Sequence, residues 1–99
     1  MFVIIWKYQI KEIYRKEFEM AYSANGAWVT LFKKSNGYVS TELLQDESHS
    51  EEYITIDRWE SKEAFEVFKS GWHQEYKLLD SQCEGLTEFE VLLGRWNGK

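Results

Sequence analysis

The chain has 99 residues, 12 Lys plus Arg against 17 Asp plus Glu for a net charge of -5, and 43% apolar residues. That apolar share argues against disorder, which needs low hydrophobicity and high net charge, and the absence of clustered cations argues against nucleic-acid or anionic-membrane partners. No apolar run approaches the roughly 20 residues of a membrane span, and the segment from Met1 to Ile10 lacks the cationic start and small-residue cleavage site of a signal peptide. Length predicts a single domain over residues 1–99. Cys83 is the only cysteine, so no disulfide forms within the chain, which suits a reducing cytoplasm.

Phe2 to Ile10 reads as a strand, with Phe2, Ile4, Trp6 and Tyr8 on one face and Val3 and Ile5 on the other. Lys11 to Lys34 reads as helical, with Tyr14, Phe18, Ala21 and Tyr22 sharing a face. Asn25-Gly26 breaks that stretch, because the pair readily adopts left-handed conformations. Trp28, Leu31 and Phe32 then resume the helical spacing. Asn36-Gly37 is a turn, and Tyr38 to Asp46 alternates as a strand. Glu47 to Glu52 is a polar loop, and Tyr53 to Trp59 a second strand rich in β-formers, so the two make a hairpin. Ser61 is a plausible helix N-cap. Phe65, Phe68, Trp72, Tyr76, Leu79 and Cys83 continue a helical stripe across Ser70-Gly71, and Gly85 stops it. Thr87 to Trp96 is the last strand, with Phe89, Val91 and Leu93 on one face against Glu88 and Glu90.

The order strand, helix, strand, strand, helix, strand predicts a ferredoxin-like α+β fold with a four-stranded antiparallel sheet. The helices cover only one sheet face. The first strand is apolar on both faces, and the third carries Tyr53 and Trp59 opposite Ile54 and Ile56. So much apolar surface on a bare face needs a partner, and a second copy around a two-fold axis supplies it. The expected assembly is a homodimer joined through the open sheet face, a dimeric α/β barrel.

Three stretches resemble the antibiotic biosynthesis monooxygenase family of the dimeric α/β-barrel superfamily. They are F-E-M-A-Y-S-A-N-G-A-W-V-T-L-F (Phe18 to Phe32), G-Y-V-S-T-E-L-L-Q-D (Gly37 to Asp46) and Y-I-T-I-D-R-W-E-S-K-E-A-F (Tyr53 to Phe65). The third is the most specific, since strand-W-x-S-x-x-A-F marks the strand-to-helix passage in this family. The resemblance implies a pocket between sheet and helices within each subunit. Some members of the family oxygenate polycyclic phenols with no metal or flavin, others degrade haem, and many have no assigned activity. The haem-degrading branch uses an Asn on the first strand and a Trp and a His on the second helical region. Here the first strand has Trp6, Lys7 and Tyr8, the position matching that Trp is Phe68, and His73 follows only five residues on. The haem triad does not carry over.

Among individual residues, His73 on the second helical region is a candidate base or hydrogen-bond donor, or simply a surface residue. Gly71 interrupts the aromatic stripe, so Trp72 begins a new segment whose free backbone N–H groups could receive a phenolate oxygen. Trp72 and His73 are therefore the candidate catalytic pair. Trp28, Phe68 and Tyr76 are expected to line the pocket with Trp72, His73 standing at its edge, and a flat aromatic ligand would fit between them. The alternative is a filled core. Asp57 and Arg58 are strand neighbours and point to opposite faces; a charge in either place must be paired, so each reads as part of a structural ion pair, or Arg58 as a substrate anchor. His49, among Asp46, Glu47, Glu51 and Glu52, lies in a loop that reads as solvated, with no metal-ligand spacing. Cys83 reads as an inert core thiol.

Two functions are compatible with this pattern. One is a cofactor-independent monooxygenase acting on a small flat phenolic substrate, with no cofactor required. The other is a non-catalytic dimeric module that binds a small apolar ligand. The absence of an obvious buried general base in the sequence favours the second, and the family resemblance favours the first.

Overall fold

The alternating strand patterns and the two interrupted helical stretches assemble as the order of elements requires. The computed structural model describes all 99 residues. Strand β1 (Phe2–Ile10) leads through a 3-10 turn to helices α1 (Arg15–Tyr22) and α2 (Ala27–Phe32). The hairpin β2 (Tyr38–Gln45) and β3 (Glu52–Trp59) follows, then helices α3 (Lys62–Gly71) and α4 (His73–Cys83), a second 3-10 turn, and β4 (Thr87–Asn97). The strands form one antiparallel sheet in the order β2-β3-β1-β4. This is the ferredoxin-like arrangement, and the sheet stays open at both edges.

Both helical stretches break where glycine was expected to break them, though for different reasons. Asn25-Gly26 does not use a left-handed conformation, since no residue has a positive φ. At Gly26 the limit is space, because a Cβ would lie 2.6 Å from the carbonyl oxygens of Met20 and Ala21. Gly71 is unconstrained, with nothing within 4 Å of a Cβ. Helix α3 starts where Ser61 accepts a 3.0 Å hydrogen bond from the Ala64 N–H, the N-cap expected from its sequence.

The core lies between the helices and one sheet face. Trp59 is 0% exposed and packs edge-on or tilted against Phe32, Tyr38, Phe65 and Phe68, with ring centroids 5.0–5.5 Å apart. Such offset contacts are the favoured aromatic geometry. Phe2, Ile4, Tyr8 and Ile10 of β1 point into the same layer.

The opposite face carries Val3 and Ile5 of β1, with Ile56 of β3 directly across from Ile5. On β4, Val91 lies across from Lys7 and Trp96 across from Val3. A bulge between Ile5 and Trp6 steps the pairing from Gly94 to Leu92 and leaves Leu93 as the extra residue. The expected alternation of β4 therefore holds for Phe89 and Val91 and breaks at Leu93. No helix covers this face, and Phe89, Val91 and Trp96 are 40%, 46% and 48% exposed.

Candidate active site

The residues of β3 alternate strictly, which sends Tyr53, Thr55, Asp57 and Trp59 under the helices and Ile54, Ile56 and Arg58 to the open face. Asp57 thereby becomes a charged residue on the core side, only 8% exposed. Register places Thr41 of β2 directly across from it. The Thr41 hydroxyl donates to Asp57 Oδ1 at 2.7 Å and accepts in turn from the Tyr38 hydroxyl at 2.9 Å. No cation pairs with Asp57. Burial pushes its carboxyl up to about 6, against the lesser opposing pull of the Thr41 hydrogen bond.

Asp57 opens into a cavity of about 240 Å³ between the sheet and the helices. The sheet supplies its polar floor, Thr41, Thr55 and Asp57, and the rings of Trp6 and Tyr8. Tyr22 of α1, Trp28 and Phe32 of α2, and Tyr76 of α4 form the aromatic walls. Trp28 and Tyr76 meet edge to face with centroids 5.0 Å apart. Lys69, Asp80 and Glu90 complete the lining, and the Lys69 ammonium sits 4.4 Å from the centroid of the Tyr76 ring. A cation over an aromatic face is an attractive contact.

The cavity hydroxyls are held neutral. Burial pushes Tyr76 up to about 12, with Asp80, Glu90 and Asp57 adding to the shift. Burial likewise raises Tyr8 and Tyr22. Tyr8 is already engaged, its hydroxyl 3.0 Å from Thr55 Oγ1. A neutral buried phenol is a donor, so this wall can hydrogen-bond an anion.

The cavity contains Trp28 and Tyr76 of the expected pocket. Phe68 lies deeper, 1% exposed, packed on Trp59 and outside the lining. Trp72 is partly buried at the end of α3, with the Lys34 ammonium 5.0 Å from its ring, and it does not reach the cavity. His73 is exposed at the start of α4. Arg58 points to the other sheet face and pairs with Glu42. Arg58 thus sits in a structural ion pair, and Asp57 in none.

Asp57 itself is the residue that sequence reasoning set aside. The signal was present: an acid at an inward position of a strand, with no basic residue at the matching position of its neighbours. Cys83 is buried, and burial raises its thiol first, with Asp80 and Glu90 adding to the shift. The polar loop is exposed throughout Asp46 to Glu51, as its composition predicts. Asp46 Oδ1 accepts from the backbone of Ser48 and His49 at 2.8 Å each, and the ligand atoms of Asp46, His49 and Glu52 lie within 4.8 Å of one another. The turn itself accounts for this gathering, because the same oxygen organises the loop.

An open antiparallel sheet with helices on one face and an aromatic cavity between them define a small ferredoxin-like α+β protein. Residues 1–75 match the antibiotic biosynthesis monooxygenase family, and the chain belongs to it. Solved structures give the same fold over nearly the whole chain. A Nitrosomonas europaea protein assigned to the antibiotic biosynthesis monooxygenases superposes with a TM-score of 0.68 at 14% identity, covering 99% of this chain and 98% of that one. SnoaB, a cofactor-independent oxygenase from Streptomyces nogalater, superposes with a TM-score of 0.67 at 14% identity, covering 99% and 92%. A Deinococcus radiodurans protein of the same assignment reaches 0.75 at 9% identity, covering 100% and 93%. No curated protein matches the chain in sequence. No helix is long and apolar enough to cross a membrane.

Proposed function

We propose that the chain is a cofactor-independent monooxygenase for a small flat phenol- or anthrone-type substrate, with Asp57 as the base. The observation that carries this reading is the unpaired, buried carboxyl of Asp57 at the floor of an aromatic cavity. With a carboxyl pushed up to about 6, Asp57 is ionised at neutral pH and is a stronger base than an ordinary carboxylate. It takes a proton from an acidic C–H or O–H of the substrate. The resulting anion is delocalised over the rings, and Tyr76 donates to the oxygen that carries its charge. Trp28 and Phe32 stack against the rings.

For anthrone the balance closes without a cofactor. The carbanion is oxidised by O2, a C–O bond forms, and the peroxide takes a proton. Loss of water leaves one oxygen atom as the new carbonyl and the other in that water. The protein positions, deprotonates and excludes bulk solvent, and O2 is the oxidant.

The binding-module alternative drew its support from the lack of a buried base, and Asp57 removes that support. The homodimer remains part of the proposed reading, with the open face of Ile5, Ile56, Val91 and Trp96 as its seam.

The test is oxygen uptake with anthrone and 18O2. The wild type should consume one O2 per anthrone, place one label in the product, and gain rate as pH rises through about 6. Asp57→Asn should lose about 10²–10⁴-fold in rate, the usual worth of a positioned base. Equal rates for the two proteins would remove Asp57 from the mechanism.

A further inference from the structure

An irregularity in β2 brings a further residue to the floor of the cavity. Tyr38 pairs with Trp59 and Ser40 with Arg58, so a bulge puts Val39 into β2 as an extra residue, 42% exposed. Tyr38 and Thr41 are three residues apart, and regular alternation would send them to opposite faces. With the bulge they share a face, and the Tyr38 hydroxyl donates to Thr41 Oγ1 at 2.9 Å. Two contacts seat the bulged end of the strand. The Glu60 N–H donates to the Gly37 carbonyl at 2.8 Å. The Tyr38 ring packs against Phe32 and Trp59, with centroids 5.5 and 5.4 Å away.

The hydroxyls run in one direction. Thr41 has a single hydroxyl proton, and it goes to Asp57 Oδ1 at 2.7 Å, a length typical of a bond to an ionised acceptor. Thr41 therefore accepts from Tyr38, and that bond fixes the rotation of the threonine hydroxyl. The carboxyl is held on one side only. Oδ2 has no partner within the protein, yet it is not sealed off, because the buried side-chain atoms without a partner are the indole nitrogens of Trp28 and Trp59. Oδ2 is thus the carboxyl oxygen open to the cavity. The other threonine of the floor, Thr55, meets the Tyr8 hydroxyl at 3.0 Å and no carboxylate.

We infer that Thr41 and Tyr38 are positioning residues for Asp57: their hydroxyl chain clamps Oδ1 and presents Oδ2 to the substrate as the basic oxygen. This rests on the proposed function, in which Asp57 is the base. A base oriented by a second group, itself oriented by a third, is the logic of catalytic triads, here with two hydroxyls behind a carboxylate. The clamp also works against burial. Desolvation raises the carboxyl, and the Thr41 hydrogen bond favours its ionised form. The other titratable groups of the cavity, Tyr8, Tyr22, Lys69, Tyr76, Asp80 and Glu90, come from β1, α1, α3, α4 and β4, so changes in β2 leave them in place.

NMR titration of the full chain, labelled with 13C at the aspartate carboxyls, reads the clamp directly, and Asp57→Asn assigns the Asp57 resonance. Thr41→Val keeps the shape of the side chain and should move the Asp57 midpoint upward by about one pH unit or more, the usual effect of losing a hydrogen bond to a charged group. Tyr38→Phe keeps the ring against Phe32 and Trp59 and should move it the same way by less. Thr41→Ser keeps the hydroxyl and should restore the wild-type midpoint. Oxygen uptake with anthrone should follow. At pH 9 the carboxyl is ionised in every variant and orientation alone differs, so Thr41→Val should be slower by about tenfold or more and Thr41→Ser within about threefold of wild type. An unmoved midpoint in Thr41→Val or Tyr38→Phe overturns the inference, even where the melting temperature falls. A Thr41→Val rate equal to wild type at pH 9 overturns it as well. If the midpoints move as expected and the wild type consumes no oxygen, the clamp on Asp57 stands and the oxygenase reading falls.

Discussion

The two faces of this sheet are made from the same strands and end in opposite conditions. On the open face the charges are settled in pairs, Arg58 with Glu42 and Lys7 with Glu52, while the aliphatic residues between them lack cover. On the helix-covered face the aromatic residues are packed against one another, and the charge is what lacks a partner: Asp57 has one hydroxyl and no cation. A strand alternation sends Asp57 one way and Arg58 the other, and this separates a face suited to protein contact from one suited to a ligand. Incomplete burial of apolar area calls for another surface. An unpaired buried acid calls for a proton or a ligand.

The sharpest test of the covered face is its most buried ring. Trp59→Ala should lower stability by about 3–5 kcal/mol, the usual cost of truncating a buried Trp, because four aromatic partners would border the void. His73→Ala, at an exposed helix position, should stay within about 0.5 kcal/mol. Urea unfolding of the two variants side by side measures this, and equal midpoints would mean that the core is not centred on Trp59.

Asp57 sets the next effect, with the opposite sign. Burial pushes its carboxyl up to about 6 in the folded chain, against about 3.9 for an aspartate in an unfolded chain. The folded state therefore holds the extra proton between these values, and stability falls as pH rises from about 4 to about 6. Above that window the unpaired charge costs about 3 kcal/mol. Asp57→Asn, which keeps an oxygen to accept from Thr41, should raise the unfolding free energy at pH 7.5 by an amount of this order and remove that part of the pH slope. A variant less stable than wild type at pH 7.5 would show that a cation reaches Asp57 in solution. Greater stability combined with lost oxygen uptake is the signature of a strained functional group.

Much of this was legible in the sequence. The element order, the strand bounds to within a residue or two, the Ser61 cap and the uncovered apolar face all follow from local pattern, because period and capping act over a few residues. What escaped depended on placement across the sheet. Leu93 belongs with Phe89 and Val91 by alternation alone, and the bulge opposite Ile5 that displaces it is a property of strand pairing. Trp72 and Tyr76 share a helical stripe, yet the break between α3 and α4 leaves only Tyr76 at the cavity. Asp57 was visible as an inward-pointing acid, but its lack of a counter-charge depends on strand pairing, which sets Thr41 on one side of it and Ile4 on the other.

On the open face, replacing Trp96 with Glu should convert a dimer into a monomer at micromolar concentration. A charge would then sit across from Val3 on the uncovered face, where apolar area is to be buried. Light scattering reads the mass directly. A wild type of monomer mass would leave the face unpartnered by its own kind, and a Trp96→Glu dimer would move the seam elsewhere.

The smallest effect separates the two tryptophans of the helical layer. Trp28 lines the cavity and meets Tyr76 edge to face at 5.0 Å, whereas Trp72 sits under Lys34 outside it. A ligand ring between the sheet and α2 should touch the first indole and not the second. Replacing an indole by a phenyl ring removes part of one aromatic contact, and such a contact is worth about 0.5–1.5 kcal/mol. Trp28→Phe should therefore weaken binding of 3-(1-naphthyl)propanol by about 2- to 10-fold. Trp72→Phe should leave its affinity within about twofold, because its ring reaches neither the ligand nor the residues that hold it. The reverse ranking would place the ligand at the junction of α3 and α4, beside His73 and the free N–H groups at the start of α4, and would return the catalytic role to that junction and away from Asp57.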